Sequence, residues 1–274
     1  MPRRIIITGA SGGLGEALAR QFADPDTVIG LIARRGAELS RVAEGLRGRC
    51  SVHAADVRDA AALQQVAADF SAIHGVPDIV IANAGVSIGT LTEVAGDAQA
   101  FRDVFDINVI GMMNTFQPYI AAMRERGSGV LVGIASVAGY RGLPGASAYS
   151  ASKAAAIRYL ESLRVELRGS GITVITICPG YIVTAMTAHN PYRMPFIMTA
   201  DNAARKIAAV IARRQVHAVM PWQMAVVARL MHVLPRWIYD PLAARSGRKP
   251  RRNLPADLPD GRRRPLAGEA PQRH

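Results

Sequence analysis

Tyr149 and Lys153, four residues apart in Ala148-Tyr149-Ser150-Ala151-Ser152-Lys153, are the pair in this chain best suited to proton chemistry. On a helix that spacing puts a phenol and an ammonium on one face, one turn apart. A nearby cation favours phenolate over phenol, so Lys153 is expected to draw the Tyr149 pKa down from about 10 toward working pH, as general acid/base chemistry requires. The plain alternative, a tyrosine packed inward beside a solvated lysine, fits the same spacing. What decides between them lies elsewhere in the chain.

A second chemical stretch stands near the start. Thr8-Gly9-Ala10-Ser11-Gly12-Gly13-Leu14-Gly15 follows the β-branched run Arg4-Ile5-Ile6-Ile7 and leads into the helical pattern Leu14, Leu18, Ala19, Phe22. Glycines at a strand-to-helix turn let backbone N–H groups approach a pyrophosphate at the positive end of the helix. A further strand ends Ala33-Arg34-Arg35, where an acidic residue would hold the ribose hydroxyls of NAD. The acid is missing. A guanidinium instead forms charge-assisted bonds with a 2′-phosphate, so Arg34 points to NADP(H).

These residues need a scaffold, and the periodicity supplies one. Strand patterns at 4–8, 27–33, 50–55 and 78–82 alternate with helical patterns beginning at Leu14, Ala37 and Ala60. A long helical pattern runs from about Asp97 to Arg126, then a strand at 130–134, the helix carrying Tyr149 and Lys153, and a strand at 172–177. A helix at 200–213 and a strand at 216–220 close the series. The expected fold is a single-domain, doubly wound α/β domain of the Rossmann type. It has a mostly parallel seven-stranded sheet, about six helices on its two faces, and ligands beyond the carboxyl ends of the strands.

Composition agrees with one large domain: 274 residues, half of them hydrophobic, with two cysteines, Cys50 and Cys178, each in an apolar run. That usage argues against a disulfide framework, and with no signal-peptide core or membrane-length apolar run a cytoplasmic protein is expected. The net charge of +12 is unevenly spread: residues 245–274 hold nine Lys/Arg against three Asp/Glu, half of the excess. Proline and few large apolar residues mark 246–274 as a disordered basic tail, so no nucleic-acid partner is expected. The six histidines, at 53, 74, 189, 217, 232 and 274, show no metal-ligand spacing, and no metal is expected.

The pattern Thr-Gly-x-x-x-Gly-x-Gly resembles the short-chain dehydrogenase/reductase family, and further family motifs follow in order. Asp56-Val57 ends the third strand; Ala82-Asn83-Ala84-Gly85 ends the fourth and is similar to the family's Asn-Asn-Ala-Gly; Asn108 lies in the long helix. Ser136 ends the fifth strand, and Pro179-Gly180-Tyr181-Ile182-Val183-Thr184 follows the sixth. The resemblance implies that Tyr149 donates a proton to a substrate carbonyl, Ser136 hydrogen-bonds the same oxygen, and Lys153 holds the nicotinamide ribose and lowers the Tyr149 pKa. Asn108 would fix a water between Lys153 and solvent. Gly9, Ser11, Gly13, Leu14, Gly15, Arg34, Asp56, Val57, Asn83, Ala84, Gly85, Pro179, Gly180, Ile182 and Thr184 become the coenzyme contacts, and a homodimer or homotetramer the assembly. The implied activity is an NADP(H)-dependent oxidoreductase acting on a carbonyl or alcohol. The alternative is a nucleotide-binding regulator or scaffold without turnover, which has no need of all four of Asn108, Ser136, Tyr149 and Lys153.

Residues 1–220 are thus expected to form the dinucleotide-binding and catalytic body, with 185–245 as substrate loop and lid of the same domain. Met186, Tyr192, Met194, Pro195, Phe196, Ile197 and Met198 suggest a lipophilic substrate. The segment from Trp222 to Leu234 reads as a helix with a wide apolar face beside the basic stripe Arg229, His232, Arg236, ended or kinked by Pro235. It would serve as lid, subunit interface or, with 222–245 and the basic tail acting together, a peripheral contact with an anionic membrane.

Overall fold

The structure is a computed structural model that describes residues 3–188, 190–245, 247 and 249–251. In chain order its elements are β1 Arg3–Thr8, α1 Gly13–Phe22, β2 Thr27–Ala33, α2 Gly36–Glu44, β3 Arg49–Ala54, α3 Ala60–His74 and β4 Ile79–Ala82. Then come α4 Ala98–Phe105, α5 Gly111–Arg126, β5 Gly129–Ile134, α6 Ser147–Glu166, β6 Ile172–Pro179 and β7 Ile182–Val183. The chain finishes with β8 Met198–Thr199, α7 Ala200–Ala212, β9 His217–Met220, α8 Trp222–Val233 and α9 Arg236–Ala244.

Seven strands form one parallel sheet in the order β3-β2-β1-β4-β5-β6-β9, and the short β7 and β8 pair beside it. The central strands are apolar on both faces because both are covered. Ile5 and Ile7 join a core with Leu18, Leu39 and Ile207 on the side of α1, α2 and α7, whereas Ile6 packs with Phe70, Phe116 and Leu160 from α3, α5 and α6. The strand order reverses between β1 and β4, which opens a crevice at their carboxyl ends, the ligand site of a doubly wound sheet.

Three features go beyond the expected pattern. The long helical stretch expected from about Asp97 to Arg126 is present as α4 and α5 joined without a break by a π-turn over Asp106–Ile110 that holds Asn108. The extra residue in that turn leaves no trace in hydrophobic periodicity. A separate helix, α9, follows Pro235, which has no N–H to lose and so starts a helix as readily as it ends one. Within the expected disordered tail, Gly247 and Lys249–Arg251 are folded onto the body, with Gly89 N–H donating to the Pro250 carbonyl at 2.9 Å. The remainder of that tail, 246, 248 and 252–274, lies outside the described residues, as do His189 and His274.

Candidate active site

The glycine turn is built by backbone geometry that only glycine takes without strain. Gly9 and Gly13 sit at φ +67° and +56°, and a Cβ on Gly15 would lie 2.2 Å from the Gly9 carbonyl oxygen. Gly15 therefore packs α1 against the turn and is not among the residues facing the cavity. Thr8 ties the ends of β1 and β4 together: its hydroxyl accepts the N–H groups of Asn83 at 3.1 Å and Ala84 at 3.2 Å. The Asn83 side-chain amide donates in turn to the Thr8 carbonyl at 3.0 Å, so Asn83 braces the turn from below.

A cavity of about 590 Å³ runs from this turn to the β5–β6 end of the sheet. Its wall takes in Gly9, Ser11, Gly13, Leu14, Arg34, Asp56, Val57, Asn83, Ala84, Gly85, Ser136, Tyr149, Lys153, Pro179, Gly180, Ile182 and Thr184. Every residue expected to carry coenzyme or catalysis is there except Gly15 and Asn108. At one end stand three residues with hydrogen-bonding capacity for a phosphate: Ser11, Arg34 and Arg35. The Arg35 guanidinium donates to Ser11 Oγ at 3.1 Å and pairs with Glu38 at 3.3 Å. Arg34 lies 4.0 Å from Asp56, whose carboxylate is held chiefly by Arg58 at 2.7 Å and kept below its usual pKa by that hydrogen bond. Arg35 is a site residue that the sequence reading passed over in favour of its neighbour.

At the other end, Tyr149 and Lys153 share the inward face of α6, with Lys153 Nζ 5.8 Å from the Tyr149 ring centre. Lys153 is buried and donates to the Ile134 carbonyl at 2.8 Å. Burial pushes its pKa down to about 8. The Tyr149 phenol moves the opposite way from expectation: burial raises its pKa, and a hydrogen bond with Ser136 offsets part of the rise. The Lys153 ammonium is already engaged by the Ile134 carbonyl, and for the phenol desolvation prevails.

Ser136 lies two residues past the end of β5 and accepts the Ala138 N–H at 3.1 Å while donating to the Pro179 carbonyl at 3.4 Å. Asn108 and Lys153 meet around Gly85, where a Cβ would lie 3.2 Å from Asn108 Oδ1 and 3.5 Å from Lys153 Nζ. Ser152, unmarked in the sequence, links Asn108 to the backbone of α6, accepting from Asn108 Nδ2 at 3.0 Å and donating to the Tyr149 carbonyl at 2.8 Å.

Past Tyr149 the cavity widens into a pocket whose apolar wall differs from the one expected. Met186, Tyr192 and Pro195 line it, but Met198 is buried in the core and Phe196 and Ile197 are exposed. Leu143, Met224, Val227 and Met231 provide the remaining apolar wall, three of them from α8. The pocket also receives Lys249, which no motif signalled.

Among the described residues no group of three or more His, Cys, Asp or Glu is placed to hold a metal ion. The residues present do fit a dinucleotide: a glycine cradle at a helix N-terminus, a long cleft, and guanidinium groups at one end with a phenol and ammonium at the other.

Residues 3–193 match the family model described as short chain dehydrogenase. An uncharacterized oxidoreductase of Myxococcus xanthus is 38% identical over 246 residues, 89% of this chain and 97% of its own length. A short chain dehydrogenase/reductase from Burkholderia phymatum in complex with NAD superposes with a TM-score of 0.78 at 23% identity, covering 93% of this chain and 98% of its own. An alcohol dehydrogenase from the archaeon Thermococcus sibiricus complexed with 5-hydroxy-NADP gives a TM-score of 0.70 at 22% identity, covering 80% and 96%. The family match runs from β1 through β7 into the loop that follows and takes in Asn108, Ser136, Tyr149 and Lys153, so this chain belongs to the short-chain dehydrogenase family of oxidoreductases.

Proposed function

We propose that the protein is an NADP(H)-dependent reductase that converts a ketone or aldehyde to an alcohol, with Tyr149 as the proton donor. The observation that carries this reading is the convergence of Ser136, Tyr149 and Lys153 on one end of a cleft whose other end is Ser11, Arg34 and Arg35. A bound reduced nicotinamide supplies the hydride. The chain's own part is to place the carbonyl and move a proton. Ser136 Oγ and the Tyr149 hydroxyl would both donate to the carbonyl oxygen; as the carbon gains the hydride, that oxygen takes the Tyr149 proton and becomes the alcohol. The resulting tyrosinate would recover a proton by way of Lys153, whose pKa of about 8 suits both release and uptake near neutrality.

The likenesses do not choose the coenzyme, because one neighbour was solved with NAD and another with 5-hydroxy-NADP. The preference for NADP(H) rests on Arg35 beside Ser11 and on Arg34 in the same cavity wall. A homodimer or homotetramer is proposed through the α4–α5 rod, where Phe101, Ile110 and Met113 are exposed. The test is NADPH oxidation followed at 340 nm against a panel of steroid, fatty-acyl, quinone, sugar and small aromatic carbonyls. Turnover with at least one carbonyl, absent in Tyr149→Phe, supports the reading; NADPH binding without turnover of any of them would leave a nucleotide-binding protein instead.

A further inference from the structure

The segment after α9 returns across the pocket mouth and is fastened there at two points. Arg251 makes a bidentate pair with Asp97, Nε to Oδ2 at 2.7 Å and a terminal nitrogen to Oδ1 at 2.8 Å, with both side chains largely buried. Asp97 Oδ2 also accepts the Leu91 N–H at 2.8 Å, so the anchor belongs to the loop after β4. The second fastening is the Gly89–Pro250 backbone bond, reinforced by close approach: a Cβ on Gly89 would lie 2.3 Å from the Lys249 carbonyl oxygen. Such anchoring of Pro250 and Arg251 fixes where the side chain just before them, Lys249, goes.

Lys249 goes into the pocket. Its Nζ lies 5.6 Å from the Tyr149 ring centre, close to the 5.8 Å of Lys153, yet it comes from a different element. It is half-buried, and among the described residues no carboxylate pairs with it. Burial lowers its pKa, the mark of an ammonium taken from water without a counter-ion. Tyr192 lines the same pocket, and among the described residues its hydroxyl has no hydrogen-bond partner. Met224, Val227 and Met231 give the same pocket an apolar wall.

We propose that Lys249 and the Tyr192 hydroxyl form an oxyanion subsite, so that the substrate is an oxo acid: a carbonyl compound with a carboxylate or sulfonate within a few bonds of its C=O and an apolar body against α8. The proposal rests on the carbonyl-reductase reading and narrows it, replacing a purely lipophilic substrate with an amphipathic one. It adds no chemical step. Lys249 orients the substrate for proton transfer from Tyr149 by holding its charged end.

The test uses the full-length enzyme, NADPH and matched probes: oxo carboxylates of four to ten carbons, each beside its methyl ester, and one aldehyde sulfonate. The wild type should favour acids over esters by at least ten-fold in kcat/KM, mostly through KM. Lys249→Met should bring that ratio close to one, Lys249→Arg should restore much of it, and Arg251→Gln, which frees the segment from Asp97, should lower it part of the way. NADPH affinity, read by fluorescence titration, should change less than two-fold in Lys249→Met. Calorimetric titration of the NADPH-loaded enzyme with the same acids needs no turnover and separates the two readings. Acid binding that weakens about ten- to hundred-fold in Lys249→Met would sustain the subsite even if no probe were reduced. Esters reduced as well as acids, an unchanged ratio in Lys249→Met, or a loss of NADPH affinity instead would overturn the subsite while leaving the reductase intact.

Discussion

Asn108 clamps Val86 in both directions: its Oδ1 accepts the Val86 N–H at 2.8 Å, and its Nδ2 donates to the Val86 carbonyl at 3.0 Å. A third bond from the same amide reaches Ser152 on α6, so one side chain ties the loop after β4 to the helix that carries Tyr149 and Lys153. The π-turn is what lets a residue of the α4–α5 rod face inward at this depth. Asn108→Ala strands two backbone groups in a buried setting and should cost about 1–3 kcal/mol in urea unfolding. Turnover should fall with it, since α6 loses its register with β4; full activity at unchanged stability would show that the clamp is not needed.

Tyr149→Phe keeps the ring and removes only the hydroxyl. Turnover should fall by about 10²–10⁴-fold, the usual contribution of a positioned general acid, while NADPH binding measured by fluorescence changes little. Near wild-type turnover would remove Tyr149 from the proposed chemistry.

Much of this was legible in the sequence because it has a period or a motif. The triplet Ile5-Ile6-Ile7 announces a strand covered on both sides, and Gly9, Gly13 and Gly15 mark a turn where side chains do not fit. The shift of the Tyr149 pKa was not legible, because helical spacing puts Lys153 nearby but says nothing of the Ile134 carbonyl that engages its ammonium or of the desolvation both groups suffer. Arg35 and Lys249 escaped notice for a related reason. Which of two adjacent arginines turns toward Ser11, and where a basic tail returns, are settled by contacts distant in sequence: Arg35 with Ser11, and Arg251 with Asp97. Lys249 has no period, no motif and a composition that reads as solvated tail.

Burial of Lys153 should be visible in stability as well as catalysis. Its folded pKa of about 8 lies below the unfolded value near 10.5, so between those pH values the unfolded chain holds a proton that the folded chain has released. Stability therefore rises with pH across that window by on the order of 3 kcal/mol from this group alone. Below pH 8 both states hold the proton and the penalty is fully present. Lys153→Met removes the titration, so the difference in urea midpoint between variant and wild type should be largest near pH 7 and shrink toward pH 10. A difference that does not vary with pH would mean that Lys153 keeps an ordinary pKa in the folded protein.

Arg34→Asp puts a carboxylate beside Asp56 at the end of the cleft proposed for the 2′-phosphate. Competition binding should show NADPH weakened by about 10²-fold or more, with NADH affected far less, because a charge-assisted pair becomes a repulsion. Arg35→Ala should lose about ten-fold for NADPH, since Arg35 reaches the site through Ser11. A wild type that already prefers NADH would refute both expectations.

The outward side of α8 and α9 carries the last expectation. Met224 and Ala228 face inward and are buried, whereas Trp222, Val226, Leu230 and Val233, at helical spacing, are 71%, 58%, 58% and 68% exposed. Trp237 on α9 adds another apolar surface at 76%, and Arg229, His232 and Arg236 are exposed beside it. α8 thus lines the cavity with one face and presents the other outward, so a lid and a membrane contact would use opposite sides of it. Among the described residues no helix is long and apolar enough to cross a membrane, but exposed tryptophans beside arginines suit the surface of an anionic one. The chain's two tryptophans are both on this face, which makes intrinsic fluorescence a local probe. Vesicles containing phosphatidylserine should shift that emission to the blue and sediment the protein, more weakly at high salt as the electrostatic attraction is screened. Neutral vesicles should do less, and Trp222→Ser with Trp237→Ser should abolish sedimentation. If the blue shift instead follows protein concentration without vesicles, and light scattering shows assembly that the double variant loses, this face joins copies of the chain and the membrane contact is wrong.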